Sequence, residues 1–486
     1  MQTDTLAEPA IELPRQLRQF DELPGPRGIP LLGNALQIEA SRFHLQLEDW
    51  CRAYGPFFKV RIGKRKLLVV GDHHAIAAVL RDRPHGLSRT SRLEKIWTEL
   101  GLPTGVFGAN GDVWQRQRRM VMAGFDPAHV KRYFPALRAV SERLVGRWKL
   151  AAQKSVAIDL QADLMRYTVD TIAGLAFGAH VNTLESDDDV IQKHLDKIFP
   201  ALTRRTLALV PTWRFLPSAA DRQLTHSVAE VNAAVAGFVE QARARLLANP
   251  ALREVPNNLL EVMLVAADKA GSGIDDQQVA GNVLTMLLAG EDTTANTLAW
   301  MIYLLWRNPD TLARATREVR RVVGDAAAPT FEQMAQLDYV EACAHETMRL
   351  KPVAPLILLE TLHAMTIGDV QAPAGIVVCC LMRRDSVSDS QLPNAAAFQP
   401  ERWLAEGDAG GQASAAKRIS MPFGAGPRIC PGRYLALMEM KMAMAALLHH
   451  FDIESVATPD GQEARERLSF TMVPQGLHMR LRARQN

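Results

Sequence analysis

Apolar and basic residues alternate through FFKVRIGKRKLLVV (57–70), which predicts two strands joined by a turn near Gly63 and Lys64. Just before them, LPGPRGIPLLGN (23–34) holds too much Pro and Gly for a helix and predicts an extended surface segment. Residues 84–111 carry scattered Gly and Pro with no clean period, the pattern of a long loop. From 112 to about 306 the apolar spacing is mostly helical. The clearest stretches are 130–150, 160–178 and 227–247, with loops at 181–189, 211–217 and 249–258. One helix stands out, at 274–307. Asp275 is a start signal and Asn308–Pro309 a stop. At 1.5 Å per residue it is about 50 Å long, and apolar residues on most of its sides send it through the core. Further helices are predicted at 312–323, 338–349 and 434–451, with strands at 376–381, 468–473 and 476–481. The expected fold class is mainly α with small β-sheets: an N-terminal tail over 1–22, then one large domain over 23–486.

Composition narrows the function. Of 486 residues, 48% are hydrophobic and 22% charged, which fits an ordinary globular chain and excludes disordered, collagen-like and disulfide-scaffold classes. A net charge of +3 gives no reason to expect a nucleic-acid partner. Uncharged runs at 277–290 and 293–306 are split by Glu291 and Asp292 and are too short to cross a membrane, so no integral membrane segment is expected. The first residues include Asp4, Glu8, Glu12 and Arg15 without an apolar stretch, so neither a signal peptide nor a membrane anchor is expected. Five cysteines, an odd number with Cys379 and Cys380 adjacent, do not make a disulfide framework. The expected compartment is a reducing cytoplasm.

The strongest chemical signal is PFGAGPRICPGRYLALMEM, starting at Pro422. A Gly- and Pro-rich loop delivers one cysteine, Cys430, directly to the start of a helix. Free N–H groups and the positive end of the helix dipole favour a thiolate there. Gly426 and Gly432 permit close backbone approach to a bulky ligand. Arg428 places a cation two residues from the sulfur, suited to an anionic cofactor group.

Phe423, Gly426, Arg428, Cys430 and Gly432 spell Phe-x-x-Gly-x-Arg-x-Cys-x-Gly, and here the chain resembles the cytochrome P450 family. The resemblance implies the family's fold, with a long central helix crossing a haem, and makes Cys430 the proximal thiolate ligand of the iron. It also implies a haem b cofactor (iron protoporphyrin IX), with Arg428 on a propionate and Phe423 and Gly424 close to the haem. Trp114 and Arg118 match the family's Trp-x-x-x-Arg pattern, which holds propionates. AGEDTT, starting at Ala289, matches the groove for O2 in the long helix. Ala289 and Gly290 then line that groove, and Asp292 and Thr293 are the catalytic acid and alcohol that relay protons. The Thr293 hydroxyl is expected to bond back to the carbonyl of Ala289, and Glu291 is expected to be structural or exposed. Glu346, Arg349 and Arg402 match a buried charge triad that we read as structural.

Some positions depart from the family. Many members carry a propionate-binding Arg or His near Leu359, where this chain is apolar. Arg383 stands where many have His, and Ser386 where many have Pro. The implied activity is monooxygenation of an apolar small molecule, using O2 and electrons from a separate ferredoxin or flavodoxin-type donor with its reductase. Arg116, Arg118, Arg119, Lys417, Arg418 and Arg433 are candidates for that donor's dock. The expected substrate contacts are 102–108, 287–289, 353–358 and 471–474, under a roof at 200–217. A peroxide-using or isomerising haem-thiolate enzyme, and a non-catalytic haem sensor or carrier, are the alternatives.

Overall fold

The computed structural model describes residues 17–125, 127–178, 181–186, 190–326, 328–404 and 412–484. Most of the expected tail, residues 1–16, and part of the expected loop at 181–189 lie outside them. The long helix is Asp276–Arg307. Its start is a reciprocal cap: the Asp275 carboxylate accepts from the Gln278 N–H at 2.8 Å, and the Gln278 side chain accepts from the Asp275 N–H at 3.1 Å. The helix is buried on most sides and lies against Leu160–Phe177. Gly290 makes that crossing close, because a Cβ there would meet Ile172 Cδ1 at 2.6 Å.

Helices Pro127–Gln153, Ala219–Ala248, Leu259–Ala267 and Asp338–Leu350 complete the helical body. The five-stranded sheet runs Phe57–Ile62, Arg65–Val70, Val377–Leu381, Leu356–Thr361, Leu87–Arg89 in spatial order. The expected pair of strands at 57–70 is its first hairpin, with Gly63 at positive φ in the turn.

Two expectations fail. Residues 84–111 are not one loop: they hold the edge strand Leu87–Arg89 and the helix Ser91–Glu99, capped by Thr90. Gly and Pro around this short helix hide its period, but Ile96 and Trp97 bury one face. The expected strand at 468–473 is two strands, Glu466–Leu468 and Met472–Pro474, turning through Ser469, Phe470 and Thr471. The last strand, expected at 476–481, is His478–Ala483.

Behind the cysteine loop, Glu346 accepts two hydrogen bonds from Arg349, each at 2.8 Å, and one from Arg402 at 3.2 Å. Trp403 Nε1 and the Gln399 N–H also donate to it. The remaining guanidinium hydrogens reach carbonyls of Ala395, Ala397, Pro393 and Asn394. All three charged side chains are buried, so each depends on the others. Glu346→Gln leaves two buried cations short of one anion and is expected to lower stability by about 3–5 kcal/mol. Chemical denaturation measures this as a lower midpoint at unchanged slope; a loss below about 1 kcal/mol contradicts the reading.

Candidate functional site

Burial along the central helix breaks at one place. Residues 281–288 are all buried, Ala289 is exposed, Gly290, Asp292 and Thr293 are half-buried, and 294–303 are buried again. Exposure in the middle of a core helix means an internal space opens at Ala289. The cysteine loop shows the same signature, since every residue from Met421 to Arg433 is half-buried except Pro427, which is exposed.

The loop is held open by its own backbone. The Cys430 N–H donates to Phe423 O at 2.9 Å and the Gly424 N–H to Met421 O at 2.9 Å. Gly424 has φ +73° and free space where a Cβ would stand, and Gly426, at φ +70°, lies against the backbone of Leu80 and Arg81. The helix Arg433–His450 follows at once. Burial pushes the Cys430 thiol up, opposed by the Gly432 N–H, Arg118 and Arg433. An anionic sulfur at this depth therefore needs a cation bound to it. Among the described residues no three His, Cys, Asp or Glu side chains gather to hold a metal.

Residues 103–110 bridge this loop and the central helix. Asn282 accepts from the Val106 N–H at 2.9 Å and donates to Gln117, which donates to Thr104 O. At the other end, Arg428 donates to Ala109 O at 2.6 Å and lies over the Trp114 ring at 4.5 Å. Arg118 donates to Ile429 O at 2.6 Å. Arg89 donates to Phe107 O and covers its ring at 4.1 Å, and Arg83 donates to Leu80 O and Ala425 O.

These four guanidinium groups share one interior region. Burial holds Arg89 down to about 9 and Arg83 and Arg428 to about 10; repulsion from Arg83 and Arg428 depresses Arg89 further. Arg118 is lowered by burial too. Among the described residues no carboxylate pairs with any of the four, and Arg428 Nε is buried without a hydrogen-bond partner. Like charges gathered in a dry site call for an anionic ligand. A haem with its propionates fits both halves of the site, the sulfur and the cations.

The family profile for cytochrome P450 matches residues 23–480. The chain belongs to the cytochrome P450 family. It is 26% identical over 483 residues to a self-sufficient cytochrome P450 monooxygenase of Aspergillus niger, covering 97% of this chain but 42% of that relative. It is 26% identical over 478 residues to the chloroplastic carotene epsilon-monooxygenase of Arabidopsis thaliana, with coverage of 94% and 86%. The cytochrome P450DA heme domain, a crystal structure, superposes with a TM-score of 0.82 at 24% identity, covering 97% of this chain and 99% of that one. This P450 therefore has the family's fold, and the family implies a haem iron.

The structure gathers Cys430, Arg428, Phe423, Gly424, Trp114 and Arg118 around one interior and puts Ala289 on the open face of the central helix. Gly290 differs, since its Cβ direction points at Ile172, so helix packing requires it. Glu291 is buried, not exposed. The Thr293 hydroxyl donates to Ala289 O at 2.6 Å, as expected. The Asp292 carboxyl is half-buried and raised by desolvation, and it accepts from Asn296 at 2.5 Å and from the Thr471 hydroxyl. Arg383 is consumed by Glu48 and Glu466 and takes no part in the arginine cluster.

Sequence reasoning missed Arg83, Arg89 and Asn296, and placed Thr471 among the substrate contacts rather than on the Asp292 carboxylate. Arg89 answers the departure near Leu359: the two residues are antiparallel Cα partners in the sheet. Arg89 thus brings a guanidinium to the strand position beside the apolar Leu359. Its only sequence signal was an arginine in a segment that read as loop. A charge-assisted hydrogen bond is worth about 1.5–3 kcal/mol, or roughly ten- to a hundredfold in equilibrium. Arg89→Ala is therefore expected to release haem to apomyoglobin about tenfold or more faster than the native protein, with Arg89→Lys between the two. An unchanged transfer rate contradicts the assignment.

Proposed function

We propose that this P450 is a haem-thiolate monooxygenase of apolar small molecules that uses haem b and a separate electron donor. The observation that carries the proposal is the pairing of the half-buried Cys430 at a helix start with an opened central helix bearing Asp292 and Thr293. The names of the monooxygenase relatives support it. When bound, the haem supplies oxygen activation, with the balance RH + O2 + two electrons + two protons giving ROH + water.

The protein's own residues do the rest. Cys430 would hold the haem iron through its sulfur. Arg428, Arg118, Trp114 and Arg89 would hold the propionates, with Phe423 and Gly424 beside the haem. Ala289 leaves room for O2. Thr293 holds a hydroxyl proton beside that space, and Asp292 replenishes it; desolvation raises the Asp292 carboxyl, the direction a general acid needs. Phe107, Phe199 and Phe470 are half-buried and meet, Phe199 stacked on Phe470 at 4.4 Å and Phe107 edge-on at 5.8 Å. They give the pocket an aromatic, apolar wall. The proposed roof at 200–217 begins inside the helix Val190–Leu207.

Electrons come from a ferredoxin or flavodoxin docking on the cysteine side. Arg119, Lys417 and Arg418 are exposed there, whereas Arg433 is half-buried and donates to Cys430 O. Among the described residues no helix is long and apolar enough to cross a membrane. All five cysteines are free, which supports a cytoplasmic, reducing location. The acid and alcohol favour O2 chemistry over the peroxide-using and isomerising alternatives, which need no proton relay.

Thr293→Ala is expected to divert electrons to peroxide and lower product per electron several-fold, measured as NADPH, peroxide and product together; unchanged coupling contradicts the relay. Arg119→Glu with Arg418→Glu is expected to slow reduction by an acidic ferredoxin and to flatten its salt dependence. A reduction rate that matches the native protein at every salt concentration contradicts the dock.

A further inference from the structure

The relay is not assembled in this structure. Both Asp292 oxygens are engaged away from Thr293: Oδ1 accepts from Asn296 and Oδ2 from Thr471, while the Thr293 hydroxyl donates to Ala289 O. Asn296 is itself anchored, since its side-chain oxygen accepts from Gln161 Nε2 at 2.6 Å. Thr471 is not on the central helix. It sits in the turn between strands Glu466–Leu468 and Met472–Pro474, directly after Phe470.

That turn joins the aromatic contact of Phe107, Phe199 and Phe470. The Phe470 ring stacks on Phe199 at an interplanar angle of 8° and meets Phe107 at 64°. The Thr203 hydroxyl donates to Ser469 O at 2.8 Å, and the Ser469 N–H to Thr471 O at 2.9 Å. The residue after Phe470 in the chain, Thr471, holds the acid. Arg467, on the strand leading into the turn, is the cation whose field reaches Asp292.

We infer that Thr471 is a positioning residue that parks the Asp292 carboxyl away from Thr293, and that displacement of Phe470 by a pocket occupant releases it. The inference rests on the monooxygenase reading and deepens it, linking proton supply to occupancy. In the parked state the carboxyl proton cannot reach the Thr293 hydroxyl. On release, Asp292 gives its proton to Thr293 Oγ1 as that hydroxyl passes its own toward the O2 space, and solvent reprotonates Asp292. No electron moves in this step. Its benefit is that electrons are not drawn to O2 when there is nothing to oxidise.

Two readouts on the haem-loaded protein test it. The first is the infrared carboxyl band of Asp292, assigned by its loss in Asp292→Asn and followed with and without 4-phenylimidazole as the pocket occupant. In the native protein the occupant is expected to shift the band. In Thr471→Val the band is expected at the released position with or without the occupant. Its titration midpoint is expected to rise there, because a hydrogen bond to the charged form is gone. Thr471→Ser is expected to restore native behaviour, and Phe470→Ala to keep the band parked and blind to the occupant.

The second readout is O2 consumption without substrate, with electrons from a reduced plant-type ferredoxin and its reductase (O2 + two electrons + two protons giving hydrogen peroxide, or four of each giving two water). Thr471→Val is expected to raise it several-fold and Thr471→Ser to leave it native. A native band that ignores the occupant overturns the inference. So does a Thr471→Val protein with a native band and native O2 consumption. If Thr471→Val does not fold, Phe470→Ala and Thr471→Ser against the native protein decide by the same bands. Failure of the monooxygenase reading shows separately, as a missing thiolate signature in the reduced carbon monoxide complex.

Discussion

A sulfur anion held away from bulk water is stable only when positive charge shares its site, and desolvation already pushes the Cys430 thiol up. The arrangement around it serves this constraint. The loop from Phe423 turns at two positive-φ glycines and ends in a helix N-terminus, so backbone N–H groups face the sulfur. Arg118 and Arg433 add positive charge without giving it a hydrogen-bonded counter-ion. The sulfur is left partly compensated.

The same interior is over-supplied with cations at its edge. Arg83, Arg89, Arg118 and Arg428 meet carbonyls but no carboxylate, which makes the site an anion receptor beside a metal ligand. Residues 103–110 tie these arginines to the central helix through Asn282. A shift of that helix is therefore felt at the propionate side, and cofactor loading is expected to stiffen the connection. The triad at Glu346 fixes the chain that leads into the cysteine loop, so stability and cofactor geometry depend on neighbouring charges.

Much of this was readable from residue order. The central helix announces itself by its caps and its length, and Cys430 by a dense local motif. Arg428 with Cys430, and Trp114 with Arg118, were legible because each pair is close in the chain. Arg89, and the bond from Thr471 to Asp292, were not legible for the opposite reason. Each reaches the site through a strand pairing or a hairpin turn, and neither register is written in a local period. Gly290 shows a third case, where the right residue carried the wrong role. Its neighbour across the helix crossing, Ile172, lies far away in sequence. The short helix Ser91–Glu99 was lost among flanking glycines and prolines, although its buried face holds Trp97.

The central claim is that Cys430 ligates a haem iron as a thiolate. The protein purified with haem, reduced and exposed to carbon monoxide, tests it beside Cys430→Ser. The account predicts the strongly red-shifted Soret band of a thiolate-ligated haem in the native protein and its loss in the variant. A native protein that holds no haem, or whose Soret band matches histidine ligation, would contradict it.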